Sequence, residues 1–206
     1  MILMKASIGF LTCVLTLWPM ISGAQELVPA ADAQKYAQML AKAIEGVTDL
    51  PLACELDLEQ PAAVRAGEAG ALVIPDKRLT AAKLAAAGKV AVPVGHLWLR
   101  NVAVERKGSA LPNSEQRTVK VTSGENTAEA QVFVLGARRG AGDVLELVVY
   151  GRGTEPVTTL PISKKGGAAT TPVQIQGRKT GEHTGAATLI FFGQQQVEIP
   201  LIKPGE

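Results

Sequence analysis

Residues Asp143 to Lys164, DVLELVVYGRGTEPVTTLPISK, decide the fold, together with their echo Ala187 to Lys203, ATLIFFGQQQVEIPLIK. Each stretch is an apolar run closing on an aromatic and a glycine (Tyr150-Gly151, Phe192-Gly193). A polar turn follows, then a return run ending Pro-aliphatic-x-Lys at Pro161 to Lys164 and Pro200 to Lys203. In the first stretch Leu145, Leu147 and Val149 share one face, and Glu146 and Tyr150 the other. That period of two marks a strand with one buried side. Val197, Ile199 and Leu201 against Glu198 repeat it. The spacing predicts two β-hairpins, and because a hairpin cannot bury an apolar face alone, an opposing layer of strands is required. The echo is short and its turns differ in length, so it is weak support for an internal duplication.

Working outward, Thr118 to Thr122, Ala130 to Gly136 and Pro172 to Gln176 read as further strands. Turn signals separate them at Ser123 to Asn126, Arg138 to Gly142, Lys164 to Thr171 and Gly177 to Gly185. Toward the N-terminus, Leu52, Cys54, Leu56 and Leu58 alternate with Glu55, Asp57 and Glu59, predicting a strand with a wet face and a buried Cys54. Ala62 to Pro75 holds two short apolar pieces around Gly67 and Gly70, of which Ala71 to Ile74 is apolar enough to be buried. Val90, Val92 and Val94 alternate as well, but Pro93 lacks a backbone donor and places this strand at a sheet edge. Leu97 to Glu105 is the next strand. Pro161 and Pro200 suggest edges, or places where a strand changes sheets.

Two helices complete the pattern. Ala30 to Val47 carries Asp32 in its first turn and Tyr36, Leu40, Ala43, Ile44 and Val47 on one face, which predicts docking on the sheet. Ala81 to Ala87 is a short Ala-rich helix, capped by Thr80 and stopped by Gly88. Many short strands at near-even spacing give an all-β antiparallel sandwich of immunoglobulin-like character, with an N-terminal helix and one short Ala-rich helix.

Met1 to Ala24 has a lone early charge (Lys5), an apolar run from Ala6 to Trp18 and the small-residue ending Ser22-Gly23-Ala24. It reads as a signal peptide cleaved after Ala24, which sends the chain to the periplasm or the secreted space and leaves no integral membrane segment. The 25–48 stretch is then the docked helix and 49–206 a single sandwich domain, with 106–116 as the place for a sub-boundary. With 21 Lys+Arg against 19 Asp+Glu, the loss of Lys5 leaves the remainder within one charge of neutral. Cys54 is the sole cysteine after cleavage, so no internal disulfide forms and the core holds the fold by itself.

The chemistry-bearing residues are few. His96 adjoins an apolar strand, where a hydrogen-bonded structural histidine is expected, and His183 sits in a Gly-rich, solvated turn. Neither belongs to a zinc-binding motif. The serines Ser109, Ser114, Ser123 and Ser163 lie in turn-like surroundings outside any nucleophile motif. Glu55, Asp57 and Glu59 share a strand face that reads as solvated rather than as a calcium or glycosidase site. Nucleic-acid binding would want stacking aromatics, and the few present sit at core-like positions. We therefore expect neither an enzyme nor a cofactor, but an exported structural or protein-interaction module. The alternative is a binding module for a small molecule or an anionic envelope polymer. If successive strands from Leu97 onward are antiparallel, their connections alternate between two ends. Parity then gathers Arg106, Lys107, Arg138, Arg139, Lys164 and Lys165 at one basic, anion-attracting end, whose partner is an unknown protein or an anionic polymer.

Overall fold

The alternating runs form strands, and a computed structural model arranges them in two antiparallel sheets, describing residues 25–123 and 125–204. The signal peptide expected over 1–24 lies outside the described residues. The chain opens with β1 (Glu26–Leu27), α1 (Ala30–Ala43), β2 (Ala62–Ala66), β3 (Ala69–Pro75), α2 (Ala81–Ala85), β4 (Val92–Arg100), β5 (Ala103–Arg106) and β6 (Ser109–Ala110). It continues through β7 (Arg117–Ser123), β8 (Asn126–Arg139), β9 (Leu145–Tyr150), β10 (Pro156–Pro161) and β11 (Ser163–Lys164). The last three strands are β12 (Val173–Lys179), β13 (Thr184–Phe191) and β14 (Gln195–Ile202). Strand takes 49% of the described residues and helix 12%, in an all-β, sandwich-like arrangement.

The first sheet runs β1-β2-β3-β4-β8-β9-β10. Its spine is β8, 14 residues long. One edge of β8 pairs with β4, and the other is shared end to end by β7, against Asn126 to Val132, and β9, against Val134 to Arg139. The second sheet runs β12-β13-β14-β5-β6, with β11 added to β14. The two hairpins of the opening sequence are β9–β10 and β13–β14, and they fall in opposite sheets. Leu145, Leu147 and Val149 meet Leu189, Phe191, Val197, Ile199 and Leu201 in one inter-sheet core, which spans the chain from Val64 to Leu201.

The first sheet is covered on its outer face too. Ala33, Ala37 and Ile44 of the α1 segment lie on Ala63, Leu72, Ile74, Trp98 and Val132. Tyr36, expected on the docking face, is 48% exposed. The contact face is turned toward the alanines because a small side chain lets the helix axis approach the sheet. In α2, Thr80 caps as expected, its Oγ1 accepting from the Lys83 N–H at 3.1 Å, and Leu84 is buried in the inter-sheet core.

Several expectations are corrected. Leu52 to Leu58 is not a strand of either sheet but a strap across the outer face, bridged to it at Leu56 and Asp76, where the Asp57 N–H donates to Pro75 O at 2.8 Å and the Lys77 N–H to Glu55 O at 2.7 Å. Its alternation comes from lying over apolar residues with one side, which needs no strand partner. The Pro93 strand is interior rather than an edge, since β4 lies between β3 and β8. The missing donor is tolerated because the β3–β4 pairing ends with Pro75 opposite Gly95 and the β4–β8 register shifts between Pro93 and Gly95. Gly95 is required there: φ is +145°, and a Cβ would stand 2.1 Å from the Ile74 carbonyl oxygen. Leu97 to Glu105 is not one strand either. The chain leaves the first sheet at Asn101, whose φ is 56°, and enters the second as β5. Pro161 ends the edge strand β10 as expected, and Pro200 lies in the part of β14 between its pairings with β11 and β5.

Candidate functional site

The basic end is built where β8 turns into β9. The Arg139 N–H donates to the Gly88 carbonyl at 2.6 Å, and the Gly140 N–H donates to Val144 O at 2.8 Å, so the stretch after α2 and the β8–β9 turn are tied together. Leu145 opposes Arg139 in the sheet and accepts from the Ile162 N–H at 2.8 Å, which brings β11 alongside. Lys165 N–H then donates to Gln194 O at 2.6 Å in the β13–β14 turn. These links place Arg138, Arg139, Lys164 and Lys165 at one end of the sandwich, and Lys89 joins them. Lys89, Arg138 and Arg139 line, with residues 140–143, a hollow of ≈ 500 Å³.

The arginines at this end are committed. Arg138 Nε lies 3.7 Å from Glu146, and Arg139 donates to Asp143 O (2.8 Å) and Ala85 O (2.9 Å) while standing 3.6 Å from the Asp143 carboxylate. Lys89, Lys164 and Lys165 have no ion-pair partner among the described residues. Five basic groups thus face two carboxylates.

Arg106 and Lys107 do not join this end. Arg106 holds Glu115 through two hydrogen bonds of 2.5 and 2.6 Å and reaches Val157 O, near the start of β10. Its hydrogen bonds keep the Glu115 carboxyl below its ordinary range. The loop before β7 enters at the middle of β8, because Arg117 opposes Val132 while Arg139 lies seven residues on. At about 3.3 Å per residue, that offset is roughly 23 Å. Parity named the correct direction; it could not see that β7 and β9 share one edge of β8. Lys89 lies upstream of Leu97, where the strand parity starts, and so falls outside its reach. Its signal was in the sequence, as the first charge after the Gly88 stop.

The remaining candidates are scattered. His96 is 2% exposed, and neither ring nitrogen has a hydrogen-bond partner among the described residues, where a hydrogen-bonded histidine was expected. Burial pushes its pKa down to about 4. It stands on the outer face of β4, its ring centroid 6.5 Å from that of Trp98. Cys54 is half-buried rather than buried, its Sγ 3.9 Å from Gly95 O, and burial with the nearby Asp76 charge pushes the thiol up to about 12. Asp76, 2% exposed, accepts from the Glu55 and Arg78 N–H groups and from the Arg78 side chain, all at 2.8–3.0 Å. Burial raises its pKa, but the hydrogen bonds from Arg78 and the backbone outweigh this and hold it below the usual range. Glu55, Asp57 and Glu59 lie along the strap, and among the described residues no group of three His, Cys, Asp or Glu is placed to hold a metal.

At the opposite end a second hollow of ≈ 170 Å³ opens between the sheets. Val64, Ala71 and Leu201 form part of its wall, with Lys179, His183 and Lys203 around it. No described helix is long and apolar enough to cross a membrane. Comparisons with known protein families, curated proteins and solved structures returned no match.

Proposed function

We propose that this chain is an exported, non-catalytic interaction module of the cell envelope or secreted space, and that its contact surface is the basic end. The carrying observation is that three segments far apart in sequence, at Lys89, Arg138-Arg139 and Lys164-Lys165, are tied to one end by backbone hydrogen bonds. The lysines there have no carboxylate partner among the described residues. Unpaired lysines at one pole of a near-neutral protein polarise it toward an anionic partner. The single inter-sheet core from Val64 to Leu201 supports reading residues 49–206 as one domain across the 106–116 loop. Chain crossings between sheets at Asn101 and Ile162 support an immunoglobulin-like arrangement in the broad sense.

The test is retention on a phosphocellulose column at low salt. The variant Lys89→Gln/Lys164→Gln/Lys165→Gln should elute well ahead of the parent, and co-elution would end the proposal. The hollow at the other end favours a second reading, a site for a small apolar ligand with an anionic group beside Lys179 and Lys203. That reading requires Leu201→Trp to abolish ligand-induced thermal stabilisation in a screen of small carboxylates, while the lysine variant keeps it.

A further inference from the structure

We infer that the basic end docks on a bilayer surface containing anionic phospholipid, an inference that rests on reading that end as the contact surface. The second observation is apolar. Among the described residues four large hydrophobic side chains are well exposed, and two of them, Val90 at 83% and Val144 at 45%, belong to this end. Val90 follows Lys89 directly. Val144 closes the β8–β9 turn, its carbonyl accepting from the Gly140 N–H at 2.8 Å. The two valines therefore flank the turn whose basic residues, with Lys89, line the ≈ 500 Å³ hollow.

Lysines beside protruding aliphatic tips fit a membrane interface better than the other anionic partners. Cationic heads attract lipid phosphates, and the apolar tips enter the boundary between headgroups and acyl chains. An acidic polysaccharide offers the valines nothing. An acidic protein face would be met by a surface richer in aromatic residues and arginine, because lysine is depleted in protein interfaces. Here both arginines are held by Glu146 and Asp143, and the unpaired charges are lysines. The exposed carboxylate at this end, Asp143, stands 3.6 Å from Arg139, which offsets its repulsion toward lipid phosphate.

The experiment uses the chain from Gln25 onward, which contains both sheets and every described core residue. Flotation is measured with phosphatidylcholine vesicles, with and without about 30% phosphatidylglycerol, at low salt, alongside the phosphocellulose column. We expect flotation with the anionic vesicles alone. Replacing Lys89, Lys164 and Lys165 by Gln should weaken it about 100-fold, since each lysine near such a surface is worth roughly fivefold. Val90→Asn/Val144→Asn should weaken it about tenfold while leaving column retention unchanged. All five positions lie outside the buried core, so both variants keep the fold, which circular dichroism verifies. Equal flotation on neutral vesicles, or flotation indifferent to the valine change, overturns bilayer docking. Lysine-dependent column retention without flotation also overturns it but leaves the contact-surface reading standing, with a polymer or protein as partner. Loss of both signals in the parent chain removes that reading as well.

Discussion

Asp76 and Cys54 show how single residues fasten the strap that covers the outer face of the first sheet. The Asp76 carboxylate takes the Glu55 N–H and the Arg78 N–H, both at 2.8 Å, and two guanidinium nitrogens of Arg78, so removing it leaves two backbone donors without their acceptor and the guanidinium without its carboxylate. Asp76→Ala should cost about 2–4 kcal/mol in a denaturant titration. Cys54 sits on that strap over Val134, Val148 and Tyr150, its thiol pushed up to about 12 and therefore neutral. A bulky maleimide at pH 8 should label the native protein far more slowly than the denatured chain, and faster in Asp76→Ala. Labelling of the parent at the denatured rate would mean that the strap does not shield the thiol. The alternation of Leu52, Cys54, Leu56 and Leu58 correctly announced one apolar side. It could not say that the partner surface was the outer face of a sheet rather than a neighbouring strand, because both reward the same period.

At the scale of elements, β9 tests the register. Leu147 is fully buried between the sheets, while Glu146 points to the outer side and lies 3.7 Å from Arg138. Leu147→Ala should cost about 2–5 kcal/mol and Glu146→Ala well under 1 kcal/mol. Equal costs in urea would place the strand faces wrongly. The β4 crossing supplies a second test. Gly95→Ala forces a Cβ against the Ile74 carbonyl and the Pro75 Cα at a positive φ, so soluble, folded protein should be largely lost. A variant as stable as the parent would contradict the close approach of β3 and β4. Both hairpins, the Thr80 cap and the burial of Ala71 to Ile74 were legible because local periodicity, composition and turn chemistry specify them. The position of Pro93 was not. Whether a proline strand lies at an edge depends on how far its neighbours extend, and that is fixed by β3 and β8, which are remote in sequence.

For the whole molecule, the legible part of the candidate site was its charge, and the illegible part its assembly. Arg138, Arg139, Lys164 and Lys165 were placed together by strand parity alone, whereas the removal of Arg106 to the middle of β8 and the arrival of Lys89 depend on register. Global stability carries a further consequence of the outer layer, through His96. The residue is 2% exposed with neither ring nitrogen bonded among the described residues, and burial lowers its pKa from 6.5 to about 4. Above pH 6.5 the imidazole is neutral whether the chain is folded or not, and the group is silent. Between about pH 6.5 and 4 the unfolded chain takes up a proton that the folded protein refuses, so stability falls as the pH falls through that window. The depressed pKa corresponds to about 2–3 kcal/mol lost between pH 7 and pH 4.5. His96→Leu fills the same place beside Ile74 and Val134 without a titrating group. Urea titrations of both proteins at the two pH values should therefore show the parent losing about 2–3 kcal/mol more than the variant. The depressed carboxylate Asp76 loses its share at lower pH and does so equally in both. Identical losses would mean that His96 takes up its proton in the folded protein near the ordinary histidine value, and that the strap does not keep water from it.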